Sequence, residues 1–123
     1  MNIIKYNSFN RPNKGIDYYL KSYYFSKMPY TASELLDKGV PSKDIINAVK
    51  EAIRVMVLLD VDTEKHVSKF YSQYKGLLFK DCKLSELAYA LVLLNLNNET
   101  MYAANIQLTI AEYFLKEYDM RKF

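Results

Sequence analysis

From Ser42 to Leu59 the chain reads SKDIINAVKEAIRVMVLL, and its apolar residues return at helical intervals. Ile45, Ile46, Val49, Ala52, Ile53, Met56 and Val57 fall on one face, with Lys43, Asn47, Lys50 and Arg54 along the opposite side. The pattern predicts a long helix capped by Ser42. Just before it, TASELLDKG places Thr31 as an N-cap with Glu34 three residues on, a capping box, and Gly39 as a left-handed stop, so a two-turn helix is expected. The following DVDTE ends the long helix and starts another, with Asp62 or Thr63 as cap and Val67, Phe70, Tyr71 and Tyr74 as its stripe. Gly76 weakens the end of that helix, and Lys80-Asp81-Cys82 is expected to turn the chain.

Residues 84 to 96 are apolar almost all round, through Leu87, Ala88, Leu91, Val92 and Leu94, which predicts a helix near the centre. A helix over 99 to 118, capped by Asn98, carries a polar strip of Asn98, Tyr102, Asn105, Thr109, Glu112 and Lys116. Its remaining surface, including Met101, Ala104, Ile106, Leu108, Ile110, Ala111, Phe114 and Leu115, is wider than one neighbour needs.

The first thirty residues differ in texture. Asparagines, Pro12 and Gly15 argue against regular structure up to about residue 15. IDYYLKSYYFSKM then favours a short helix, with Asp17 as cap and Tyr19, Leu20, Tyr23 and Tyr24 on one side; the β-propensity of tyrosine leaves a strand as the alternative. The expected fold is therefore all-α: a compact bundle of four to five helices over residues 31–123, preceded by an aromatic-rich N-terminal arm over residues 1–30.

Composition changes this picture little. The 123 residues are half apolar, enough for one core, and three glycines and three prolines leave few shaped loops. The net charge of +3 is uneven: residues 1 to 30 carry five bases against one acid, +4, and the remainder twelve against thirteen, −1. A single cysteine, Cys82, forms no intramolecular disulfide and suits a reducing compartment. The N-terminus lacks the apolar core of a secretion signal, and NLNNET divides the apolar stretch 87–111 into pieces too short for a bilayer, so no membrane role is expected. A cytoplasmic or virion location follows from these features together with the assembly role below.

Candidate chemistry is sparse. Zinc needs several thiolates or imidazoles, and the chain offers Cys82 and His66. DVDTE lacks the glycine and the glutamate of a calcium loop, having Lys65 and Tyr71 in their places. Glu86, Glu99, Glu112 and Glu117 lack the histidine companions of a diiron bundle. The expectation is a protein that is not an enzyme and uses no cofactor or metal.

Two binding readings compete. Residues 31–54 have the outline of a helix-turn-helix, with Ser42, Lys43, Asn47, Lys50 and Arg54 as DNA contacts. Four acids, Glu34, Asp37, Asp44 and Glu51, cancel four bases across that unit, a poor start for binding a polyanion. Tyrosine-rich segments, by contrast, supply rigid amphipathic area of the kind found in interface cores. The favoured reading is a structural or adaptor subunit of a larger protein assembly, self-associating or bound to other subunits. Tyr19, Tyr23, Tyr24, Phe25 and Tyr30 are its anchors and Lys5, Arg11 and Lys14 its rim charges. By analogy of architecture alone, a phage virion connector or completion protein is a concrete form of that role. A small inhibitor or regulator of a host protein is a further alternative.

Overall fold

The computed structural model describes residues 14–74 and 76–123. In chain order these form α1 (Lys14–Ser26), β1 (Tyr30–Thr31), a 3-10 segment (Ala32–Lys38), α2 (Ser42–Leu58), a 3-10 turn (Thr63–Lys65), β2 (Val67–Tyr74), β3 (Leu77–Leu84), α3 (Glu86–Leu94), α4 (Met101–Glu117) and a last 3-10 turn (Met120–Lys122). The fold is mostly helical but not all-α, because β1, β3 and β2, in that order, make a three-stranded antiparallel sheet.

The sheet stands where the periodicity predicts a helix. Val67, Phe70, Tyr71 and Tyr74 do recur at helical spacing, yet two eight-residue runs flank a two-residue connection, residues 75 and 76, with Gly76 at φ 80°. That spacing closes a hairpin in which Tyr74 faces Leu77, Tyr71 faces Lys80 and Val67 faces Leu84. The simple alternation of a half-buried strand is missing because both faces of the hairpin are partly covered. On one face Phe25 of α1 meets Phe70 edge-on, with ring centroids 5.7 Å apart. On the other, Leu84 is fully buried among α2 and α3. Lys80-Asp81-Cys82 is accordingly the middle of β3, not a turn.

The helical expectations fare better. Glu34 accepts from the Thr31 N–H (3.0 Å), the return bond of a capping box, and also from the Thr31 hydroxyl, although the segment it starts is 3-10. That segment ends with Gly39 at φ 89°, where Gly39 N donates to Leu36 O and Val40 N to Leu35 O, the paired bonds of a Schellman motif. The same motif ends α2: Asp60 N donates to Val57 O and Val61 N to Met56 O, but here the left-handed position, φ 58°, belongs to an aspartate. Caps elsewhere shift by a residue or two. Ser42 is the first residue of α2 after Pro41, Ser85 caps α3 through Ala88 N, and Thr100, not Asn98, caps α4 through Ala103 N. Asp17 lies within the first turn of α1.

The core joins Leu35 and Val40 to one side of α2 (Ile45, Ala48, Val49, Ala52, Met56) and to Leu84, Ala88, Val92, Leu93, Leu96 and Ala103. Ala48, Ala52 and Ala88 are all essentially solvent-free, so α2 and α3 meet through small side chains that allow close approach. Ile46 and Val57, expected in this face, are exposed. Leu35 and Val92 are completely buried and supply the bulk around that alanine contact.

Candidate functional site

The residues singled out as interface anchors divide into two groups. Tyr19 and Tyr23 on α1 are exposed, as is the neighbouring Tyr18, with the Lys27 ammonium 5.4 Å from the Tyr23 ring. Tyr24 and Phe25 are half-buried, Phe25 against Phe70 and beneath the Lys83 ammonium. Tyr30 stacks on Tyr89 of α3, centroids 4.1 Å apart and planes within 6°. Lys14 begins α1, while Lys5 and Arg11 lie outside the described residues. The aromatic feature expected of the arm is found at the other end of the chain, where Phe114 stacks on Tyr118 (4.8 Å) and meets Phe123 (5.5 Å).

Ser42, Lys43, Asn47, Lys50 and Arg54 are all exposed on α2. Arg54 is engaged by Glu51 at 2.6 Å, and the element ahead of α2 is a 3-10 segment where a helix-turn-helix has an α-helix. Lys50 belongs instead to the groove described below.

Cys82 and His66 do not meet. His66 Nδ1 lies 2.7 Å from Ser85 Oγ, and Cys82 is three positions before Ser85, about 10 Å at strand spacing. Burial raises the Cys82 thiol pKa, the Asp81 carboxylate raises it further and Lys69 opposes, so the sulfur is a thiol at neutral pH and a poor nucleophile. Asp81, the one buried charged residue among those described, accepts from Ser33 N (3.1 Å), the Ser33 hydroxyl and Cys82 N (2.7 Å), tying the 3-10 segment to β3. Asp62 caps Glu64 N at 3.1 Å. Among the described residues no three metal-ligating side chains come together, and no helix is long and apolar enough to cross a membrane.

Besides the exposed face of α1, two further surfaces among the described residues are not accounted for by packing within the chain. The first is a groove of about 580 Å³ between α2, the 3-10 segment and β3. Leu36, Ile45, Ile46, Val49, Ile53 and Phe79 give it an apolar floor, and Lys50, Lys69 and Lys80 stand on it beside the already bonded Asp81. It opens along β3. Because β1 pairs only with Lys83 and Leu84, the rest of that β3 edge has no strand partner among the described residues.

The second surface is on α4. One side of that helix, through Ala103, Tyr102, Ile106, Ile110 and Phe114, is buried or half-buried. Gln107 Nε2 fixes this side by donating to Leu93 O (3.0 Å) and Leu96 O (2.9 Å) at the end of α3. A second apolar line, Met101, Ala104, Leu108, Ala111 and Leu115, follows alternate steps of three and four residues along the helix and is exposed throughout. Met101 is 78% exposed and Leu108 and Leu115 60% each. Such spacing is that of a coiled-coil seam.

Comparison with protein families, curated proteins and solved structures finds no match. The seam is legible in the sequence as an excess of apolar surface on one helix. The groove is not, since it depends on β3, which the periodicity conceals.

Proposed function

We propose that this chain is a non-enzymatic structural or adaptor subunit that assembles with another copy of itself through α4. The observation that carries this reading is the exposed seam. Large and small side chains alternate along it, and an antiparallel partner whose residue numbers sum to 219 places every large one over a small one or at an end. Leu108 then meets Ala111 and Leu115 meets Ala104, with Met101 at the end of the contact. The alanines let the two helices approach to about 8 Å, the near limit for helix packing.

The flanking edge fits as well. Asn105 and Glu112 follow the seam on one side, and the antiparallel register sets Asn105 of each helix against Glu112 of the other. Each carboxylate faces an amide that can donate to it, with no like charges opposed. Exposed Tyr18, Tyr19 and Tyr23 on α1 offer a further contact area for a larger assembly. A virion connector or completion protein, by analogy of small helical architecture alone, is one form such a subunit takes.

Light scattering on the full chain tests the reading: a dimer is expected, converting to monomer on Leu108→Glu. In a Cys82→Ser background, A104C combined with L115C should crosslink two chains on oxidation, since these positions lie too far apart on one helix to bridge within it. A full chain that stays monomeric at all concentrations, or a dimer indifferent to L108E, would overturn it. Tyr19→Ala with Tyr23→Ala reports on the arm, by lowering the mass of any species larger than the dimer.

A further inference from the structure

We infer that the groove beside β3 binds an extended, acidic and apolar segment of a partner protein, which adds to the sheet as a fourth strand. The backbone register supports the strand addition. Tyr74 and Leu77 flank the two-residue connection and form a hydrogen-bonded pair, and the alternation continues to Ser85 N donating to His66 O at 2.8 Å. Leu77, Phe79, Asp81 and Lys83 therefore spend their backbone groups on β2, while Leu78, Lys80, Cys82 and Leu84 direct theirs to the other edge. Tyr30 pairs with Leu84, and the Cys82 N–H is taken by Asp81. Leu78 and Lys80 are left, two donors and two acceptors in line, at the spacing that an incoming strand satisfies.

The groove identifies the occupant. β1 departs from the edge at Thr31, and the space it would have covered is the apolar floor, with Ile46 54% exposed and Leu36 48% exposed. An added strand points every second side chain into that floor, which suits Val, Ile or Leu. Three lysines stand on the lining against one carboxylate, and that carboxylate is already bonded to Ser33 and Cys82. The remaining charge calls for Asp or Glu at the intervening positions. A second copy of this chain is a poor occupant, because antiparallel pairing of two such edges brings their Lys80 side chains together. Residues 1–13, with Lys5 and Arg11 and no acid, carry the same sign as the lysines. The groove shares no residue with the α4 seam, so the two proposals stand or fall separately.

The experiment is a selection of displayed random twelve-residue peptides on the full chain, followed by fluorescence anisotropy with the selected peptides. Alternating Asp or Glu with Val, Ile or Leu is expected. Ile46→Asp should weaken binding about tenfold or more, the worth of one buried aliphatic side chain. Lys50→Glu with Lys80→Glu should cost a further several-fold, as lost exposed charge pairs do. N-methylation at every second peptide position should abolish binding in one phase and spare it in the other, which a helical ligand would not show. Binding should persist in monomeric L108E. The inference is overturned if no peptide is enriched, if the selected peptides are indifferent to I46D, if both phases of N-methylation are tolerated, or if a peptide of residues 1–13 competes equally.

Discussion

The Asp81 carboxylate receives two backbone N–H groups and one hydroxyl from Ser33 and Cys82, which makes this one residue the pin between the 3-10 segment and the sheet. Asp81→Ala strands two donors in a part-buried site, and a loss of about 2–3 kcal/mol is expected in urea unfolding. Ser33→Ala removes only the hydroxyl and should cost about 1 kcal/mol. Cys82 and Tyr89 govern the alkaline side. Burial raises both pKa values; for Tyr89, interaction and hydrogen bonding with Tyr102 add to it, followed by Glu34 and Tyr30. In the unfolded chain the thiol titrates near about 8.5 and the phenol near about 10. Above those values the unfolded state releases protons that the folded state retains, so the stability these groups contribute is intact below about pH 8.5 and is lost as pH rises. The urea midpoint should therefore fall from about pH 8 to about pH 11, and Cys82→Ser with Tyr89→Phe should flatten the fall; an equal slope in the double variant would refute the assignment.

At the level of elements, two identical helix endings make an internal comparison. Both the 3-10 segment and α2 close in a Schellman motif, one with Gly39 and the other with Asp60 in the left-handed position. Glycine carries no Cβ penalty there, so Asp60→Gly should stabilise the protein by about 0.5–1 kcal/mol, readable as a higher melting temperature. The contrast also marks what is legible in the sequence. Capping box, glycine stop and apolar period place the 3-10 segment, α2, α3 and α4 within a few residues, since these signals are local. β2 reads as a helix because aromatic and apolar residues on both of its faces imitate a helical stripe, and the two-residue connection that ends in Gly76 is the quieter signal. β1, with two residues, leaves no pattern at all. The groove inherits that blindness, whereas the α4 seam, carried by one continuous helix, is visible as unused apolar surface.

For the whole molecule, the consequence is a small fold whose core is finished while the α4 seam and the groove edge stay open among the described residues. The core closes around alanine contacts between α2 and α3, and neither the seam nor the groove edge is needed to complete it. Leu108→Glu should thus change the stability of the single folded chain by no more than about 0.5 kcal/mol while changing mass, the mark of a residue facing outward. The brevity of β1 has one more consequence, in time rather than in space. Along β3 the amide protons of Phe79 and Asp81 are held in the ladder to β2, and those of Leu78 and Lys80 are not, so hydrogen–deuterium exchange should run slow and fast at alternate residues of a single strand, until a partner strand arrives and makes the rhythm disappear.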